Sequence, residues 1–203
     1  MRALIEHSQG ACYTVAEVIS DSAEAAGLAT ARHLGVAARA LPAAQDMKRG
    51  EYDKALAEAI ERHSPALIAL AGFMRILSAQ FVQRFAGRIL NIHPSLLPKY
   101  PGLHTHRRAL EAHDAEHGAT VHFVTERLDG GARIIQARVR VVPGESEAEL
   151  GARVLEREHR IYPMAVNWFC EGRLRSTAGQ AWLDGRPLNE PVQMSDLEKE
   201  KTA

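Results

Sequence analysis

Two polar side chains stand at alternate positions in the apolar run Ile89-Leu90-Asn91-Ile92-His93-Pro94. Strand side chains alternate faces, so Asn91 and His93 point one way while Leu90 and Ile92 point the other. Pro94 has no N–H for a ladder, so the strand should stop there and become a loop. An amide and an imidazole at the carboxyl end of an α/β strand sit where such sheets bind ligands. The same pair would also serve as a hydrogen-bonded cap on a strand. As chemistry, an Asn N–H and a charged His suit stabilisation of the oxygen that gains charge when an amine attacks a carbonyl. Asp129 is the candidate carboxylate. Ahead of Gly130 and Gly131 it is ordinary turn chemistry, but near His93 it would stabilise the imidazolium, fix its orientation and help move protons. Ser95 is close in sequence, yet no nucleophile elbow surrounds it.

Ten histidines raise the question of a metal. His104 with His106 and His113 with His117 could supply ligands, but no Cys or carboxylate completes a zinc pattern, and no metal is expected. Lys+Arg and Asp+Glu number 25 each in the 203 residues. That balance argues against a nucleic acid backbone or a membrane surface as the main partner. Hydrophobic residues make up 46%, enough for a sizeable core. No apolar run reaches transmembrane length, and the start is too soon charged for a signal peptide. Cys12 and Cys170 form no metal-like spacing and read as ordinary thiols in a reducing cytoplasm.

The elements that must position Asn91 and His93 alternate between strand and helix. Met1 to His7 reads as helix with Ala3, Leu4 and His7 near one face; Tyr13 to Ser20 reads as a strand. Ser22 opens a helix that ends at Gly35. Val36 to Leu41 is a strand, Gln45 to Gly50 a polar loop and Tyr52 to His63 a helix. Ala66 to Ala71 is the apolar run of a strand covered on both faces, and Ser78 opens a helix to Phe85. This predicts an α/β fold: a mainly parallel twisted sheet flanked by helices, Rossmann-like in its N-terminal half. After Pro98 come a loop (Lys99 to Thr105), a short helix (His106 to His113) and two strands, Thr120 to Val124 and Ile134 to Val139, linked through Asp129-Gly130-Gly131. Ser146 and Glu149 form a capping box for a long helix, which Pro163 should break and Gly172 end. Residues 1–189 are expected to form one domain, with halves 1–98 and 99–189, and Trp182 and Leu183 are possible anchors on its body. Residues 190–203 are expected to be a disordered tail.

Ala71-Gly72-Phe73-Met74-Arg75-Ile76-Leu77 and Asn91-Ile92-His93-Pro94-Ser95-Leu96-Leu97-Pro98 carry a resemblance. With Lys99-Tyr100-Pro101-Gly102-Leu103-His104-Thr105-His106, His122-Phe123-Val124-Thr125, Leu128-Asp129-Gly130-Gly131 and Glu158 to Pro163, they resemble the phosphoribosylglycinamide formyltransferases in order over nearly the whole chain. The resemblance implies transfer of a formyl group from 10-formyltetrahydrofolate to the amine of glycinamide ribonucleotide in purine biosynthesis, in the cytoplasm, by a monomer or homodimer. It implies Asn91, His93 and Asp129 as the catalytic trio, His93 being the general acid. Met74, Arg75, Ile76 and Leu77 would line a pteridine pocket, Thr125 to Asp129 would close over it, and Arg49 and Asn91 would also serve the folate. Gly72, Pro94 and Glu158 would hold the ribonucleotide. Alternatively, Met74, Ile76 and Leu77 are plain core, and Arg49 and Glu158 are solvated surface charges.

The family's pattern places a strand and a turn ending in Gly-Ser-Asn ahead of its first helix, whereas this sequence begins on that helix. The first strand and the phosphate-binding loop are therefore expected to be missing. Either the start lies further upstream, or the chain is a weakened or repurposed folate-binding relative. In both cases the two strands flanking the gap should have unpaired edges, and the ribonucleotide should bind weakly. Formyl transfer to another acceptor would ask for a basic second domain, and hydrolysis of formyl-folate for an extra regulatory domain.

Overall fold

The computed structural model describes residues 1–200, with side chains to residue 198. In chain order the elements are α1 (Arg2–Ser8), β1 (Glu17–Ser20), α2 (Ala26–His33), β2 (Ala37–Ala40), α3 (Arg49–Glu61), β3 (Ile68–Leu70), α4 (Ala79–Arg84) and β4 (Ile89–His93). There follow α5 (Thr105–Glu111), β5 (Glu116–Phe123), β6 (Arg133–Arg140), α6 (Glu147–Cys170), β7 (Leu174–Thr177), β8 (Gln180–Leu183), β9 (Arg186–Pro187), β10 (Val192–Gln193) and α7 (Met194–Glu200).

The central sheet runs β10-β6-β5-β4-β3, while β1 and β2 pair as a separate parallel ribbon and β7-β8-β9 form a third sheet. β3 is parallel to β4 and β10 to β6, but β4–β5 and β5–β6 are antiparallel. The N-terminal half thus has the expected parallel pairing, and the return strand β5 makes the whole a mixed sheet. Among the described residues, β1 pairs only with β2 and β3 only with β4. Ala69 of β3 is exposed, so the run 66–71 is not covered on both faces, and only three of its residues pair as strand.

The sheet separates two cores. On one side Leu90, Val121, Ile135, Leu150, Val154, Ile161 and Trp168 pack together with α1 and α6. On the other, Tyr52 and Leu56 of α3, Phe81 and Phe85, and Ile89 form a second cluster, with Ile19, Ile68 and Leu70 against it. Ile89 and Leu90 thus lie on opposite faces of β4, as alternation requires.

Several boundaries moved for tertiary reasons. In α1 the consecutive Ala3, Leu4 and Ile5 are buried, and His7 faces solvent. Tyr13 lies outside β1 because its hydroxyl donates to the Leu4 carbonyl, 2.9 Å away. Ser22 does not cap α2, whose N-cap is Ala25. α3 starts three residues earlier than Tyr52, the Lys48 N–H donating to Glu51 Oε2 at 3.0 Å. Ser146 and Glu149 do form the capping box, at 2.8 and 3.3 Å. Pro163 does not break α6, which runs unbroken for 24 residues. Proline forfeits one helical hydrogen bond, and here the buried Ile161, Tyr162 and Ala165 around it hold the helix in the core.

The expected disordered tail is corrected over residues 190–200. Val192 and Gln193 pair with Ile135 and Gln136, Met194 is buried, and Arg138 Nε donates to Gln193 Oε1 at 3.0 Å. The open edge of β6 supplies partners that the tail's polar composition does not advertise. Residues 201–203 lie outside the described residues.

The connection between β5 and β6 returns so tightly that a Cβ on Gly131 would fall 1.8 Å from the Phe123 carbonyl oxygen. Backbone, not a movable side chain, is in the way. Gly131→Ala is therefore expected to cost about 2–4 kcal/mol of stability, read by denaturant unfolding. It should also lower turnover by shifting Asp129. An unchanged midpoint would show that the loop has room to move.

Candidate active site

β4 and β5 lie side by side with Asn91 opposite His122 and His93 opposite Thr120. Four polar side chains therefore project from one face of two paired strands. His122 was missed by sequence reasoning, though the alternation Thr120/His122 against Val121/Phe123 is its signal.

Hydrogen bonding assigns the ring protons. His122 Nδ1 is 2.8 Å from the Phe123 carbonyl oxygen, which can only accept, so Nδ1 carries the proton. Burial holds the His122 pKa below the ordinary value, keeping the ring neutral. Its bare Nε2 then accepts from Asn91 Nδ2 at 3.3 Å, which fixes which end of the amide is nitrogen. One N–H of Asn91 is thereby used and the other stays available. For His93, Nε2 is 2.9 Å from the Tyr100 carbonyl oxygen and must donate to it. Its Nδ1 faces Asp129 Oδ2 at 3.5 Å. That is ion-pair distance rather than a short hydrogen bond.

Asp129 sits at φ 48°, a left-handed conformation that Asp tolerates better than most residues. Oδ2 accepts the Gly102 N–H at 2.8 Å, and Oδ1 lies 3.6 Å from His122 Nε2. Its side chain is only 7% exposed, and that of His93 8%. The trio Asn91, His93 and Asp129 is thus brought together, with His122 hydrogen-bonded to the amide and lying beside the carboxylate.

The loop after His93 is itself pinned. The Thr120 hydroxyl donates to Ser95 O at 2.7 Å and accepts from Leu97 N at 3.0 Å. Gln136 Nε2 and Arg133 donate to Leu97 O at 2.8 and 3.0 Å. Ser95 spends its own hydroxyl on Lys99 O, which removes it as a nucleophile. Behind the loop, His106 Nδ1 meets His117 Nε2 at 3.1 Å, and burial lowers the His117 pKa to about 4. Among the described residues no three His, Cys, Asp or Glu side chains converge as a metal would need.

Met74 and Ile76 are 75% and 55% exposed, while Phe73, Leu77 and Val124 pack on the same core cluster. The loops 72–77 and 124–129 therefore share one foundation. Leu128 and Leu103, 54% and 63% exposed, stand on the neighbouring loops. Met74 and Ile76 are accordingly not core. Arg75 leans the other way, its guanidinium 3.7 Å from Asp21 and 4.2 Å from the centre of the Tyr52 ring. The buried Asp53 accepts from Ser78 N at 2.6 Å and anchors the end of loop 72–77. Gly72 turns at φ 69°, and Pro94 directly follows His93. Thr125 Oγ1 donates to Arg127 O at 3.3 Å. A groove of about 580 Å³ between Val82, Gln83, Val124 to Arg127 and the β7–β8 turn is lined by none of Met74 to Leu77. Arg49 is exposed at the start of α3, without a side-chain partner among the described residues.

Glu158 lies on α6, half-buried, and desolvation raises its carboxyl pKa to about 7, against a weaker pull from the Met1 ammonium. A carboxyl raised from 4.5 binds its proton more readily folded than unfolded. Its stability contribution is fully present below pH 4.5 and is lost as pH rises through about 7. Glu158→Gln is therefore expected to melt higher than the parent above pH 7, with the gap closing as pH falls toward 4.5. A thermal midpoint series against pH reads this; a gap independent of pH would refute it.

A family model described as formyl transferase matches residues 1–166. The chain is 54% identical over 175 residues to phosphoribosylglycinamide formyltransferase of Escherichia coli, covering 86% of this chain and 82% of that one. It is 47% identical over 182 residues to the enzyme of that name from Haemophilus influenzae, covering 90% and 86%. The solved structure of phosphoribosylglycinamide formyltransferase from Coxiella burnetii superimposes with a TM-score of 0.88 at 42% identity, over 94% of this chain and 92% of that one. The chain belongs to the formyl transferase family. Within it, these similar relatives are all phosphoribosylglycinamide formyltransferases. Among the described residues no helix is long and apolar enough to cross a membrane.

Proposed function

We propose that the chain transfers a formyl group from 10-formyltetrahydrofolate to the amine of glycinamide ribonucleotide, a step of purine biosynthesis. The observation that carries this reading is the convergence of Asn91, His93 and Asp129, with His122 locking the amide's orientation. As the amine adds to the formyl carbon, charge develops on the formyl oxygen. The free N–H of Asn91 and the Nδ1–H of charged His93 are the donors for that oxygen. Asp129 takes the proton that the amine sheds. His93 then gives a proton to the departing folate nitrogen as the carbon–nitrogen bond breaks, and Asp129 passes the amine's proton on to His93 Nδ1, which restores both groups.

The exposed side chains Met74, Ile76, Leu103 and Leu128 fit a flat heterocycle, which would cover them from water. Backbone groups of 74–77 and Thr125 supply its polar partners. Arg49, exposed and without a side-chain partner among the described residues, is suited to the folate's carboxylates; Gly72, Pro94 and Glu158 are assigned to the ribonucleotide. Residues 1–189, together with β10 and α7, act as one domain, cytoplasmic, monomeric or homodimeric, on small molecules and without nucleic acid or membrane.

Incubating the chain with 10-formyltetrahydrofolate and glycinamide ribonucleotide tests the reading, with mass detection of the formylated ribonucleotide. Formate release independent of the acceptor would make it a hydrolase. Among the described residues β1 pairs only with β2 and β3 only with β4, which supports one other reading, a folate-binding module without turnover. Folate binding unaccompanied by transfer would favour it.

A further inference from the structure

Cys12 and Cys170 stand 158 positions apart in the chain, and their spacing alone reads as two unrelated thiols. The fold brings them together. Cys12 follows a turn closed by the Ala11 N–H on Ser8 O at 3.2 Å, with Gly10 at φ 84°. Tyr13, the next residue, donates its hydroxyl to the Leu4 carbonyl. The segment is thereby laid along α6, where Cys12 Sγ is 3.3 Å from Asn167 Oδ1 and 3.6 Å from Asn167 O. Asn167 and Cys170 are three apart on that helix and share a face. Cys12 is thereby set against the turn of α6 that carries Cys170. Cys12 is exposed, with Cys170 half-buried behind it.

We propose that Cys12 and Cys170 form a dithiol that a small-molecule disulfide converts into an intramolecular disulfide, fastening the segment after α1 to the carboxyl end of α6. The Cys12 thiolate attacks one sulfur of the small disulfide, breaking its S–S bond and releasing one small thiolate. Cys170 then gives up its proton and attacks the Cys12 sulfur, expelling the second small thiol. Two protein thiols and one small disulfide become one protein disulfide and two small thiols. Order follows from environment. Burial and the neighbouring Cys12 push the Cys170 thiol up to about 11, so the exposed Cys12 reacts first and Cys170 resolves it. Neither sulfur belongs to the formyl-transfer site, so this chemistry stands apart from turnover.

Oxidised glutathione at pH 8, added to the full chain, is the test. Both thiols should disappear with no glutathione retained, and peptide mapping should join Cys12 to Cys170. The thermal midpoint should rise by roughly 5–10 °C, because the bridge closes a long loop, and dithiothreitol should reverse it. Cys170→Ser should stop at one glutathione on Cys12, with no rise in midpoint. The proposal is overturned if the parent protein also stops at that adduct, keeps both thiols free, or links two copies on a non-reducing gel.

Discussion

Replacing His93 with alanine is expected to lower kcat by roughly 10³–10⁴-fold while KM for formyl-folate moves by no more than a few-fold. The imidazole's Nε2 proton is committed to Tyr100 O, so a single position, Nδ1, serves as both oxyanion donor and acid. The two contributions therefore do not multiply as independent terms would. His93 is also buried, and an alanine there leaves a hole and frees the Tyr100 carbonyl. His93→Asn, which keeps a polar group at the site, separates folding from chemistry. Both variants should unfold cooperatively, and both should lose turnover. Steady-state kinetics beside a melting curve decides the matter: a well-folded alanine variant with less than a tenfold loss in kcat would remove His93 from the acid role.

Asp129→Asn should lower kcat by roughly 10²–10³-fold, again with KM little changed. Asn tolerates the left-handed φ of 48°, and its carbonyl oxygen can still accept the Gly102 N–H, so the backbone should hold. What disappears is the negative charge facing His93 Nδ1 and the acceptor for the amine's proton. Because the two side chains face each other at 3.5 Å, the effects must couple. Combined with His93→Ala, the loss should fall well short of the product of the single losses. Fully multiplicative losses would mean that the two residues work independently, against the geometry.

Patterns with a local cause were legible in the residues themselves. The Asn91/His93 alternation places both on one face of β4, and the Ser146/Glu149 box starts α6 where it should. Each follows from a few consecutive residues and backbone geometry. The features misread share a different origin. Pro163 reads as a helix breaker, yet burial of the residues around it outweighs the lost hydrogen bond. Residues 190–200 read as a polar tail, yet the edge of β6 gives Val192 and Gln193 a partner. His122 alternates with Val121 and Phe123 in the sequence, but its place opposite Asn91 exists only once β5 is laid antiparallel to β4 in that register.

By itself, then, the sequence determined the alternating elements of the N-terminal half, the strand end that presents Asn91 and His93, and the motifs that mark the formyl transferase family. The tertiary structure decided that Asp129 does reach His93, which ring nitrogens carry protons, and that Cys12 lies against the turn of α6 that carries Cys170. Backbone propensity acts over a few residues. A hydrogen bond between Asn91 and His122, or an ion pair between His93 and Asp129, exists only when packing of the whole sheet closes the chain between them.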